Sequence, residues 1–242
     1  MQILVISDIH ANFTALQAVL EDAGPVDETW CLGDLVGYGP DPNECIDLLK
    51  SRENTLCLLG NHDAAAIGMI NLETFNREAR IAAEWTRREI SEPNQNFLRG
   101  LEKILVNHSV TLAHGSPRNP VWEYMLDTFT AGQNFEHFDT PFSFVGHTHI
   151  PVVFYAPNGK SEVEFQFINA PVELSPLRRA IINPGSVGQP RDHDPRAAYA
   201  IFNPETNIWE PHRIEYDIYS VQKRIQDAKL PGRHALRLLK GW

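Results

Sequence analysis

The chain has no apolar run approaching the ~20 residues of a membrane span, so no transmembrane helix is expected. It opens directly into a strand-like segment without a basic stretch and cleavage site, which argues against signal-peptide secretion. Cysteine is scarce: Cys31, Cys45 and Cys57 form no Cys-x-x-Cys pair, which excludes a thiolate metal site of finger type. They read as small core residues in a reducing, cytoplasmic protein. Basic residues are outnumbered, 21 against 31 acidic, and the net charge of −10 lacks the basic footprint that binding to nucleic acid requires. Low-complexity tracts, internal repeats of 20–50 residues and interdomain linkers are also missing, which leaves one domain over residues 1–242.

What remains is an ordinary globular composition, 43% hydrophobic and 21% charged, in 242 residues, enough for one large α/β domain with a full core. Its organising feature is a recurrence at strand ends. The apolar stretch before Gly33-Asp34 releases its chain into a turn just past a buried strand, where open α/β sheets carry chemistry. Four other apolar runs end alike. Residues 3–7 lead into Asp8 and His10, 55–59 into Gly60-Asn61-His62-Asp63, 110–113 into His114-Gly115, and 142–145 into Gly146-His147-Thr148-His149. A lone histidine is more often a satisfied core or surface residue. Four histidines with Asp8, Asp34 and Asn61 at strand ends point to a metal site. Imidazole and carboxylate without thiolate suit Mn, Fe, Zn, Ni or Co better than Mg or Ca.

Elsewhere, Asn12 is placed to cap a helix bearing Phe13, Leu16, Leu20 and Ala23 on one face, closed by Gly24-Pro25. Asp41-Pro42-Asn43-Glu44 has the form of a capping box for a helix carrying Ile46, Leu48 and Leu49. Residues 76–90 read as a long helix with Trp85 and Ile90 as core contacts, followed by a shorter helix with Phe97, Leu98 and Leu101. Strands follow at 104–106, 110–113, 143–145, 152–155, 179–182, 198–202 and 208–214. Ile218, Val221, Ile225 and Ala228 mark a closing helix, and 235–239 a last turn or two. The β-α-β-α-β start requires parallel strands with helical crossovers, and the strand-rich second half reads as a sheet packed against the first.

Asp-x-His, Gly-Asp, Gly-Asn-His-Asp, His-Gly and Gly-His-x-His, in this order from Ile3 to His149, resemble the calcineurin-like metallophosphoesterases. The resemblance implies a four-layer α/β/β/α sandwich with two packed mixed sheets and two divalent metal ions. One ion would be held by Asp8, His10, Asp34 and His149, the other by Asp34, Asn61, His114 and His147, with Asp34 bridging. It also implies hydrolysis of a phosphate monoester or diester of a small phosphorylated substrate by a metal-bridging hydroxide, with His62 protonating the leaving oxygen. Asp63 would orient that imidazole or, the preferred reading, cap a helix over 64–67.

Members that dephosphorylate proteins carry Asp-Arg where this chain has Gly37-Tyr38. The phosphate grip must then come from elsewhere, Arg118 and Arg191 being the candidates, with plain surface ion pairs as the alternative. Tyr38, Trp122 and Tyr124 are placed to line a pocket for a ring, although packing suffices for Trp122. His108, His137, His193, His212 and His234 show no metal spacing and read as structural or exposed. The competing functions are an inactive scaffold of the same fold, set against by the complete ligand set, and a nuclease, set against by the acidic charge.

Overall fold

The structure is a computed structural model that describes residues 1–156 and 162–242. In chain order it comprises β1 (Ile3–Ile6), α1 (Phe13–Ala23), β2 (Glu28–Cys31), α2 (Pro42–Lys50), β3 (Thr55–Cys57), α3 (Asn61–Ala66), α4 (Arg77–Glu89), α5 (Glu92–Arg99), β4 (Ile104–Asn107) and β5 (Val110–Ala113). It continues with α6 (Thr128–Asn134), β6 (Phe142–Phe144), β7 (Val152–Tyr155), β8 (Glu164–Phe167), β9 (Val172–Glu173), β10 (Ala180–Asn183), β11 (Ala197–Asn203), β12 (Ile208–Ile214), α7 (Ile218–Asp227) and α8 (Gly232–Lys240).

The strands form two mixed six-stranded sheets, ordered β3-β2-β1-β11-β12-β9 and β4-β5-β6-β10-β7-β8. Strand periodicity explains how they stack, since successive side chains of β1 point to opposite faces. Leu4 and Ile6 pack on Leu16 and Val19 of α1 and Ile46 and Leu49 of α2. Ile3 and Val5 pack with Trp30, Phe142, Phe144, Phe202 and Trp209 between the sheets. The far face of the second sheet, with Val152, Phe154 and Ile181, is covered by Ala131 of α6 and by Phe135 and Phe138. Helix, sheet, sheet, helix is the four-layer order expected.

Three expectations need correction. The second half of the chain does not make only the second sheet: β11 pairs antiparallel with β1, and β12 and β9 extend that first sheet outward. Asp41 begins α2 but makes no side-chain cap. Its carboxylate instead receives Nε and Nη2 of Arg224 on α7, each at 2.9 Å. The helix expected over 64–67 starts earlier, at Asn61, with Gly60 as its cap residue. Asp63 therefore sits inside the first turn, accepting the backbone N–H groups of Gly60 and Val36, both at 3.0 Å. The Asn12 cap holds, its Oδ1 accepting from Ala15 N at 3.1 Å. No helix among the described residues is long and apolar enough to cross a membrane.

Candidate metal centre

All the expected ligands arrive at one end of the sandwich because β1, β2, β5 and β6 end there, β3 feeds α3, and the loop into β7 returns. The exits of β1 and β2 run in step: Asp8 N donates to Gly33 O at 3.0 Å, His10 N to Asp34 O at 2.9 Å, and Ala11 N to Leu35 O at 2.9 Å. The turns are tight. Asp8, His10, Asp34, His147 and His149 all have positive φ, between 50° and 67°. A Cβ on Gly60 would lie 2.1 Å from Asp34 Oδ1, so only glycine lets the two segments approach.

The side chains form two clusters, and within each the potential ligand atoms lie within 4.8 Å of one another: Asp8, His10 and His149 in one, Asp34, His114 and His147 in the other. Asn61 joins the second, its Oδ1 3.2 Å from His114 Nε2. Asp34 spans both, with Oδ2 3.7 Å from His10 Nε2 and 3.3 Å from His114 Nε2. His10, Asp34 and His62 also meet this distance test, so proximity alone does not separate His62 from the ligands.

The imidazole tautomers carry the chemical information. Backbone carbonyls of Val36, Leu32 and Gln189 face the Nδ1 atoms of His10, His114 and His149, at 3.2, 3.0 and 2.6 Å. A carbonyl only accepts, so each Nδ1 carries a proton and each Nε2 is the atom turned toward the site. His10 Nε2 lies 3.1 Å from His149 Nε2, and His114 Nε2 lies 3.2 Å from Asn61 Oδ1 and 3.3 Å from Asp34 Oδ2. Asp34 Oδ2 is buried without a hydrogen-bond partner. Acceptors converging on one another in a dry site need a cation between them.

Electrostatics agree. Burial pushes His10, His147 and His149 well below the ordinary histidine range, so they are neutral donors. Burial would lower His114 as well, but the Asp34 carboxylate beside it raises it to about 9, so the Nε2 that faces Asp34 binds a proton where a metal ion would take its place. Burial alone would raise Asp34, yet the surrounding imidazoles, His114 foremost, hold it below the usual carboxylate range. Burial and the neighbouring Asp34 push Asp8 up to about 6. The site stabilises positive charge beside Asp34.

His62, buried, packs between the rings of Tyr38 and Phe75, with centroids 4.3 and 5.0 Å away. Burial lowers it to about 4. Its Nδ1 faces Gly37, where a Cβ would fall 2.6 Å away. Asp63 does not orient it.

The candidate grips separate. Arg118 is not brought to the centre: its Nε donates to Glu123 Oε2 at 3.2 Å, its Nη2 to Glu123 Oε1, and its Nη1 to Gln133 Oε1 at 2.5 Å. Arg191 is brought there, with its guanidinium carbon 6.0 Å from the Tyr38 ring centre and its backbone N–H bonded to His149 O at 3.3 Å. Tyr124 lies at the rim, 45% exposed, stacked on His147 at 3.8 Å between centroids.

The family follows from the chain's full set of motifs on this fold. The calcineurin-like phosphoesterase superfamily domain matches residues 1–207. The chain belongs to that family. An uncharacterised protein of Methanocaldococcus jannaschii is 38% identical over 99% of this chain and 98% of its own length. The crystal structure of a metallophosphoesterase from Sphaerobacter thermophilus superposes with a TM-score of 0.90 at 45% identity, covering 100% of this chain and 99% of that one. A symmetrical bis(5'-nucleosyl)-tetraphosphatase of Actinobacillus pleuropneumoniae is 31% identical over 45% of this chain and 41% of its own length.

Against this family background, several supporting residues were not legible beforehand. Asn183 at the end of β10 donates to Gly146 O at 2.6 Å and Thr148 Oγ1 at 3.0 Å, pinning the loop that carries His147 and His149. Ser186 Oγ donates to Asp8 O at 2.8 Å. The run Asn183-Pro184-Gly185-Ser186 signals a tight turn, but not which ligands it braces. His234 of α8, expected to be structural, is indeed buried, yet it packs on Tyr38 at 4.7 Å, one ring removed from His62.

Proposed function

We propose that the protein hydrolyses a phosphate monoester or diester of a small molecule at a centre of two divalent transition-metal ions, with His62 as general acid. The observation that carries this reading is the convergence of bare imidazole nitrogens and an unpartnered Asp34 oxygen on two adjoining points. Asp8, His10, Asp34 and His149 would hold one ion, and Asp34, Asn61, His114 and His147 the other. Bound there, the pair would supply positive charge to the phosphoryl oxygens and acidify a water for in-line attack.

The chain's own groups do the rest. Arg191 brings a fixed cation to the rim, where it hydrogen-bonds phosphate oxygens as the phosphatase members' arginine would. His62 lies in a slot between Tyr38 and Phe75, where the negative charge of a bound phosphate would offset the effect of burial and favour its protonated form, and it gives the leaving oxygen a proton as the ester bond breaks. The near-complete burial of the ligands keeps bulk water away from the developing charge. Nucleic acid is disfavoured as substrate by the net charge of −10.

The test is Asp34→Asn. Metal analysis should show fewer than two ions per chain, and turnover of nitrophenyl phosphate esters should fall below detection, with an unchanged circular dichroism spectrum. A variant that keeps both ions and near-normal rates would refute the bridging assignment.

A further inference from the structure

A second cavity, of about 560 Å³, opens at the same end of the sandwich as the metal centre. Its position follows from the topology. Ile150 and Pro151 on its wall continue directly from His149, Phe167 of β8 pairs with Val152 at the start of β7, and Pro184 follows β10. The volume lies within the roughly 300–1,000 Å³ typical of sites for small organic ligands. Ile150, Pro151, Phe167, Ile168, Pro184 and Pro211 make an apolar part of the wall beside polar and charged side chains, and Phe167 is 62% exposed.

The charges around it are unequal. Asp192 pairs with Arg213, and Asp194 with Arg196, so four of the five cancel. Arg191 is left: among the described residues it has no carboxylate within ion-pair distance, and its Nη2 donates to the Gln189 amide oxygen at 3.1 Å. This residue also faces Tyr38 at the metal centre. One guanidinium without a salt-bridge partner thus joins a partly apolar cavity to the candidate metal centre. A ligand matching both has an anionic head at Arg191 and an apolar, ring-sized body beyond it.

We propose that this cavity receives an aromatic group of the substrate, with Arg191 at its neck holding the phosphate. The inference rests on the phosphoesterase reading and narrows its substrate class to phosphate esters with a bulky aromatic arm. Short alkyl and polyol esters leave the cavity unfilled. Phe167 stacks on the ring, and the prolines of the wall give it a flat, dry surface.

The experiment is titration calorimetry of the metal-loaded full chain with two phosphonates, whose P–C bond is not hydrolysed. Methylphosphonate carries the head alone and 1-naphthylphosphonate adds the ring. The wild type should bind the naphthyl compound at least about tenfold more tightly, since burying the ring's apolar surface is worth that much. Asn169→Trp, at an exposed position on the cavity wall, should bring the ratio to about one while methylphosphonate binds as before, which also shows that the variant is folded. Phe167→Ala should reduce the ratio several-fold, and Arg191→Ala should weaken both compounds by the same factor. Equal affinities in the wild type, or a ratio untouched by Asn169→Trp, would place the ring elsewhere and overturn the proposal. Failure of the wild type to bind either phosphonate would overturn the phosphoesterase reading beneath it.

Discussion

Gly37 has φ +94° and no room for a side chain, because His62 occupies that space. The departure from Asp-Arg at 37–38 is therefore more than a missing phosphate ligand, since it makes the slot in which the proposed acid, His62, sits. His62→Ala should retain metal, cost little with a nitrophenyl ester, whose leaving group needs no proton, and cost about 10²-fold or more with an alkyl ester. Gly37→Ala should reproduce that contrast, because the new methyl displaces the imidazole rather than a ligand. Steady-state rates on both esters, with metal content measured in parallel, check the pair. Loss of one ion in His62→Ala would make His62 a ligand.

Arg118 belongs to stability. Partial burial would raise Glu123, but hydrogen bonds from Arg118, Asn134 and Ser116 hold its pKa down to about 2. A carboxyl depressed in the folded state from an unfolded value of 4.5 stabilises above that value, and the contribution drains away between pH 4.5 and about 2. Glu123→Gln should thus lower stability at pH 7 by about 1–2 kcal/mol, after allowance for solvent screening. The gap from wild type should close toward pH 2 in urea unfolding. Arg118→Ala should also lower stability at pH 7, with unchanged KM.

At the scale of elements, five of the seven proposed ligands, Asp8, His10, Asp34, His147 and His149, sit in left-handed backbone, a conformation that costs on the order of 1–3 kcal/mol per non-glycine residue. The strain is borne because the sheets beneath are well packed. Phe144 touches Trp209, Phe202 and Trp30 between the two sheets, and Phe144→Ala should cost about 3–5 kcal/mol in chemical denaturation. The exits were legible because their signal is local, an apolar run followed by Gly, Asp or His. The strand 110–113, which runs into His114, was legible for the same reason. α6 was not: Thr128, Phe129, Thr130 and Gly132 are poor helix formers, and the segment is helical through the Asp127 cap, with Oδ1 accepting from Thr130 N at 2.7 Å, and through its seat on β7 and β10. Nor does Asp41 reveal in its own neighbourhood that Arg224 competes for its carboxylate. Partners distant in sequence leave no local trace, which is also why β11 could not be assigned to its sheet.

At the scale of the molecule, the family match ends at residue 207, yet the chain builds onto its site beyond that point. α7 and α8 pack Val221, Ile225 and Leu238 with Tyr38, and His234 lies against the same ring. A chain ended after Ile214 should keep its metal ligands but lose several kcal/mol, at about 1.5–3 kcal/mol for each large apolar side chain no longer buried. Its remaining activity should show the leaving-group dependence of a misplaced His62. Thermal unfolding, metal analysis and the ester pair test this, and wild-type behaviour in the shortened chain would make the two helices ornamental to the site.

The pairing of β1 with β11 also sets an order of events on the ribosome. Ile3–Ile6 is synthesised before every other element described, yet one of its two neighbours in the sheet emerges nearly two hundred residues later. Asp8, the earliest of the proposed ligands, is braced by Ser186 and Gly188, which arrive just before that neighbour. Closing so long a loop is slow, and until it closes a hydrophobic strand edge lies open to other chains. The first ligand to be translated is thus among the last to be set in place.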